Sequence, residues 1–251
     1  MNGPARRSRR PIRKGLHGHP PLTPAGALLH SRFTIGLLVA GFLTLAVLAR
    51  IHRGGPLLTW DRPIQHWAES HRGDDVNSVF RAISQLGGIT VVAVGLIVLL
   101  YLVYRRCQSL GIVLLIAVAA RPLLEFLLKE LVGRPRPDFE RLVPGVGPSF
   151  PSGHVMAAIA LWGLVPPVVA LLTRRRTLWW ASVVVSGAVI LGVAASRVYL
   201  GVHWFSDVVG ALLLGGLYLL VVEWLLDWHH ERRGCEPLDE VERELLPRAQ
   251  V

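Results

Sequence analysis

PSGHVMAAIALWGLVPPVVALLT, residues 151–173, runs from a polar start directly into an apolar stretch. From His154 to Thr173 the stretch shows no strand-like alternation, and about 20 such residues suffice for a helix to cross the ~30 Å hydrocarbon core of a bilayer. A chain in lipid must satisfy its own backbone, so this stretch is read as a spanning helix. Its start is chemically unlike the rest. Ser152 can cap the helix, Gly153 lets a ligand approach the backbone closely, and the free N–H groups of a helix N-terminus attract anions. Without His154 this would read as an ordinary capped helix start.

Outward from this stretch, five more windows have the same character: Phe33 to Ala49, Gly88 to Tyr104, Leu110 to Leu128, Leu178 to Ala195 and Ser206 to Leu226. Composition agrees, since 52% hydrophobic residues and a mean hydropathy of +0.45 are too apolar for an ordinary soluble domain. The expected fold class is all-α, a polytopic membrane protein with six transmembrane helices over residues 33–226. A basic segment, 1–32, rich in Arg, Pro and Gly and read as disordered, precedes it, and a charged tail, 227–251, follows.

Lys and Arg number 27 against 17 Asp and Glu, and the excess lies in short blocks beside apolar runs. Arg6, Arg7, Arg9, Arg10, Arg13 and Lys14 precede the first window, Arg105-Arg106 join the second and third, and Arg174-Arg175-Arg176 join the fourth and fifth. The excess of positive charge on cytoplasmic loops places these blocks, and both termini, in the cytoplasm. The loops 50–87, 129–153 and 196–205 then face the opposite side. Most of the eight Trp sit at the edges of apolar windows, as interface anchors do, so no nucleic-acid partner is expected. Cys107 and Cys235 have no metal-ligand spacing and imply no disulfide framework. The segment from Asp61 to Leu86 mixes apolar and charged residues like one or two amphipathic helices in the outer interface. It either caps the bundle or guides a lipid into it.

Three polar clusters fall on the same outer side. Arg121, Glu125 and Lys129 lie at i, i+4 and i+8 on one helical face, where Glu125 can bridge the two cations. Alone, Lys129 would read as a snorkelling residue. Arg136 follows it by seven positions, in a loop stiffened by Pro135 and Pro137. The second cluster is Pro151-Ser152-Gly153-His154. The third is Ser196-Arg197 with His203 and Asp207, the last two spaced to share a helical face. A carboxylate bonded to Nδ1–H of His203 would leave Nε2 available as a nucleophile. Three cations, two histidines and one carboxylate are the groups needed to break a phosphoester without a metal. No cofactor and no metal site is expected.

Lys129 with six residues before Arg136-Pro137, then Pro151-Ser152-Gly153-His154, then Ser196-Arg197 with five residues before His203 and three before Asp207, closely resembles the three-part motif of the type 2 phosphatidic acid phosphatases. These share a site with vanadium haloperoxidases. The resemblance covers the third to sixth windows by motif and the first two only by the six-helix plan. It implies that Lys129, Arg136 and Arg197 hold the phosphoryl oxygens, helped by Ser152 and the Gly153 backbone. It further implies that His203 is a nucleophile forming a phosphohistidine, Asp207 its orienting partner and His154 the general acid. The expected partners are the bilayer and a lipid phosphate or diphosphate in its outer leaflet: phosphatidic acid, phosphatidylglycerophosphate or undecaprenyl diphosphate. A non-catalytic lipid-binding protein of the same fold would be favoured by loss of a motif position, and none is lost. Vanadate-dependent haloperoxidase chemistry is disfavoured by the six apolar windows.

Overall fold

The computed structural model describes residues 56–173 and 175–233, together with 36, 39, 41 and 43. Of the first window, Phe33 to Ala49, these last four are described and are helical. The rest of that window, the segment 1–32 and the tail beyond 233 lie outside the described residues. Regular structure among the described residues is entirely helical: α1 Pro56–Ser70, α2 Asp74–Gln85, α3 Ile89–Arg106, α4 Gln108–Val132, α5 Gly153–Trp162, α6 Val165–Thr173, α7 Arg176–Tyr199 and α8 Phe205–Arg233. Among the described residues, five stretches are long and apolar enough to cross a membrane, and they carry the second to sixth windows.

The segment from Asp61 to Leu86 forms two helices. Gly73, in an extended conformation, starts α2, and Asp74 and Asp75 in its first turn complement the helix dipole. The run from His154 to Thr173, read as one helix, is broken between α5 and α6. Pro166 and Pro167 lack the N–H groups that would bond back into α5, so the chain restarts at Val165 while still making one crossing. Cys107 is buried in the α3–α4 turn.

Two apolar cores stack along the bundle. Leu96, Leu99, Leu110, Leu114, Leu161 and Leu164 pack in one. Phe150, Val155, Met156, Ile159, Ala194 and Ala211 pack in the other, under the polar clusters. Ile97, Ile116, Val184 and Leu191 are more than half exposed on the outside of the spanning helices, which suits helices whose outer faces meet lipid tails.

Chain direction gathers the polar clusters at one end. A Cβ on Gly87, just before α3, would press on the His154 carbonyl, so α3 starts where α5 starts. α3 then leads about 27 Å away at ~1.5 Å per residue, and α4 returns to Lys129. α5 and α6 leave again, α7 returns to Arg197, and α8 departs. The turn at Arg105 and the turn at Arg175 are therefore at the opposite end.

Candidate active site

His203 lies in the turn between α7 and α8 and is 3% exposed. Its Nδ1 is 2.7 Å from the Ser149 carbonyl oxygen. A carbonyl only accepts, so Nδ1 carries the proton and Nε2 carries the lone pair. Arg136 Nη1 stands 3.3 Å from Nε2. Burial pushes the His203 imidazole below its ordinary pKa; Asp207 works against that shift, and Arg136 and Arg197 add to it. The ring is thus neutral at pH 7, as a nitrogen nucleophile must be.

The spacing of His203 and Asp207 predicts a direct hydrogen bond along a helical face. The structure places Asp207 Oδ2 3.7 Å from Nδ1, beyond hydrogen-bond length, so the carboxylate acts on the ring through its charge. The reason is local: α8 begins at Phe205, leaving His203 outside the helix. Asp207 instead folds back to accept the Trp204 N–H at 2.9 Å, as a helix-start carboxylate does.

The three motif cations are held differently. Arg136 donates to the carbonyls of Gly147 at 2.9 Å, Val146 at 2.7 Å and Val202 at 2.8 Å, which ties its loop to the residue before His203. Arg197 is 5% exposed, and its Nη1 donates to Ser84 Oγ at 2.6 Å, while its Nε has no partner among the described residues. Lys129 Nζ is 2.8 Å from Glu125 Oε1, and Arg121 Nη1 is 2.7 Å from Glu125 Oε2, the bridge expected from their spacing.

Two expectations at the start of α5 change. Ser152 occupies the cap position, but its hydroxyl makes no cap bond; it is fully buried and has no partner among the described residues. The group that comes close to Gly153 is the Glu125 carboxylate, which a Cβ there would overlap. Glu125 thereby links Lys129 to the start of α5. The half-buried His154 ring makes no hydrogen bond among the described residues and lies within electrostatic reach of Arg197, His203, Glu125 and Lys129. The structure therefore sets Arg136 and Asp207 directly beside His203, places Arg197 and His154 within electrostatic reach of that ring, and brings Lys129 within the same reach of His154.

Several residues at the site carry no motif signal. Ser149 accepts from His203, Ser84 of α2 holds Arg197, and Asp61 of α1 meets Arg134 and Ser206. For α1 the signal was Asp61 and Gln65, polar residues four apart that turn out to be buried. Arg134 directly precedes Pro135 in the loop that carries Arg136. Among the described residues, no three His, Cys, Asp or Glu side chains form a group able to hold a metal ion.

The PAP2 superfamily model matches residues 110–231, which contain all three motif clusters. Phosphatidylglycerophosphatase B of Bacillus subtilis (strain 168) is 32% identical over 200 residues, covering 74% of this chain and 92% of that protein. Undecaprenyl-diphosphatase of Sulfolobus acidocaldarius is 34% identical over 122 residues, 46% of this chain and 55% of that protein. The crystal structure of a transmembrane PAP2-type phosphatidylglycerolphosphate phosphatase from Bacillus subtilis is similar at a TM-score of 0.69 and 28% identity, covering 75% of this chain and 94% of that one.

Proposed function

The chain belongs to the PAP2 superfamily, and from that premise we propose that it is a membrane enzyme releasing phosphate from a lipid phosphate or diphosphate through a phosphohistidine on His203. The observation that carries the mechanism is the state of His203. Its Nδ1–H is fixed on the Ser149 carbonyl, and its Nε2 lone pair stands beside Arg136.

Phosphoryl oxygens take the two donors of the motif clusters that have no partner among the described residues, Ser152 Oγ and Arg197 Nε, with Arg136 and Lys129 completing the charge. His203 Nε2 attacks phosphorus, the bond to the lipid-side oxygen breaks, and His154, protonated once the phosphate anion is bound beside it, gives that oxygen its proton. The resulting phosphoimidazolium keeps its Nδ1–H on Ser149, and the nearby Asp207 carboxylate offsets its charge. Water then passes a proton to His154 and attacks phosphorus, the P–N bond breaks, and the lone pair returns to Nε2. The chemistry calls on no metal, because cations of the protein supply the positive charge.

Phosphatidylglycerophosphate is the substrate best supported, from the name of the Bacillus relative that this chain covers almost completely. A polyprenyl diphosphate is the second reading, from the Sulfolobus relative. The site faces the extracytoplasmic side, because the opposite end of the bundle carries Arg105-Arg106 and Arg174-Arg175-Arg176. The test is a phosphate-release panel on purified protein in detergent, with phosphatidic acid, phosphatidylglycerophosphate, undecaprenyl diphosphate and a soluble phosphomonoester, each with and without EDTA. Release from a lipid that persists in chelator is expected; folded protein that releases phosphate from none would leave a lipid-binding protein.

A further inference from the structure

Behind His203, on the side away from Arg136, lies a buried charge network that the three motif clusters do not include. Arg134 Nη1 donates to Asp207 Oδ1 at 2.5 Å and to Ser206 Oγ at 2.7 Å, while Nη2 donates to Asp61 Oδ2 at 2.6 Å. Asp61 in turn accepts the Ser206 N–H at 2.8 Å and the Ser206 hydroxyl at 2.6 Å. One guanidinium thus joins two carboxylates that are 3% and 0% exposed. Burying such groups is costly unless they are paired, and here each oxygen has a donor, Asp207 Oδ2 having the Trp204 N–H.

The backbone of Arg134 leads to the same ring. Its carbonyl accepts the Ser149 N–H at 2.8 Å, and the Ser149 carbonyl is the acceptor that fixes the His203 tautomer. Arg134 therefore supports both groups facing His203 Nδ1: Ser149 through its main chain and Asp207 through its side chain. Gly133, left-handed at φ 57°, closes α4 onto the Lys129 carbonyl and turns the chain so that Arg134 points under the site while Arg136, two residues on, reaches its other side. Asp61 brings in α1, which lies outside the family match.

We propose that Arg134 and Asp61 are positioning residues that hold Asp207 and Ser149 against His203 and set the charge balance in which that imidazole works. The role assigned to His203 rests on the phosphatase reading; the charge coupling does not. The charged and titratable groups around His203 are Asp207 from α8, Arg134 and Arg136 from the loop, Arg197 from α7 and His154 from α5, with Lys129 and Glu125 from α4 and Asp61 from α1 beyond them. Taking one charge out of this set moves the ring's proton equilibrium in a direction given by that charge.

The test is the titration midpoint of His203, read by NMR in detergent on protein carrying ¹³C-labelled histidine and assigned with His203→Ala, beside the pH profile of kcat/KM. Arg134→Gln removes a cation and should raise the midpoint by about one pH unit, as expected for one charge at an effective dielectric of ~20 to 40. Asp61→Asn keeps the shape, removes an anion and should lower it. The double variant should return towards the wild-type value, and Arg134→Lys, which keeps the charge, should move it least while lowering kcat more than it raises KM. A merely structural role would give losses without opposite shifts. Midpoints that stay together, or move the same way in both single variants, overturn the proposal. Shifts as expected in a protein that releases phosphate from no lipid would uphold the coupling and refute the phosphatase reading. Should Arg134→Gln fail to fold, Asp61→Asn carries the test with Arg134→Lys as its charge-neutral control: a midpoint lowered only in Asp61→Asn upholds the coupling, and one that stays or rises there overturns it.

Discussion

Ser84→Ala asks whether α2 belongs to the site or merely covers it. Ser84 is 3% exposed, and its hydroxyl accepts from Arg197 Nη1 at 2.6 Å across 113 residues of chain. This is the one side-chain hydrogen bond of Arg197 among the described residues, and its Nε already lacks a partner. Ala is a better helix former than Ser, so the substitution does not weaken α2 itself. What is lost is a buried hydrogen bond to a charged group, of about 1.5 to 3 kcal/mol. If that contact holds Arg197 for the transition state, kcat/KM should fall by roughly tenfold to a hundredfold, at ~1.4 kcal/mol per factor of ten. Ser84→Thr, which keeps the hydroxyl, should recover part of the loss. Ser78→Ala provides the control, since Ser78 lies on the same helix and donates only to the Asp74 carbonyl on an exposed face. The assay is phosphate release from phosphatidylglycerophosphate in mixed micelles, with thermal melts confirming folded protein. A folded Ser84→Ala variant with wild-type kcat/KM would show that α2 only covers the site.

Gly153→Ala should drive the Glu125 carboxylate off Lys129 and lower kcat/KM at least about tenfold, the scale of one charge-assisted contact, whereas Gly187→Ala, where a Cβ meets nothing within 4 Å, should leave it unchanged. Equal behaviour of the two would remove Glu125 from the account. Because burial holds His203 below its unfolded value of ~6.5, the unfolded chain takes up that proton first as pH falls. Stability from this group is therefore full above about 6.5, is lost between there and the lower folded value, and changes no further below it. Thermal midpoints from pH 8 to 5 should fall more steeply in wild type than in His203→Gln, and parallel curves would contradict the shift. For sidedness, single cysteines at Val146 and Thr177, both exposed, in a Cys107→Ser, Cys235→Ser background should react with an impermeant thiol reagent on intact cells only at Val146. Labelling at Thr177 alone would invert the topology.

Much of the site was legible because its chemistry is written at short range. Lys129 to Arg136, Ser152 to His154 and Arg197 to Asp207 are each set by one helix end or one turn, and spacing along the chain reports such groups faithfully. The Arg121, Glu125 and Lys129 bridge was likewise readable from helical periodicity. Contacts closed by tertiary packing were not: Asp61 with Arg134 and Ser84 with Arg197 span 73 and 113 residues, and no periodicity encodes them. Two local readings failed for local reasons. The pair His203 and Asp207 looked helical, but α8 begins between them. The run from His154 to Thr173 was counted by hydropathy, which does not see that Pro166 and Pro167 lack the N–H groups a continuous helix needs.

The claim that His203 carries phosphate is tested most directly by slowing the step that removes it. A lipid diphosphate leaves as a phosphate monoester whose second pKa is about 6, so attack on it needs little help from His154, while hydrolysis of the phosphohistidine still needs that base. In His154→Ala mixed with phosphate-labelled undecaprenyl diphosphate and quenched within a single turnover, label should accumulate on the protein in acid-labile, base-stable form. It should vanish when His203→Ala is added. No protein-bound label in a variant whose wild-type parent hydrolyses the diphosphate, or label that persists without His203, would contradict the account.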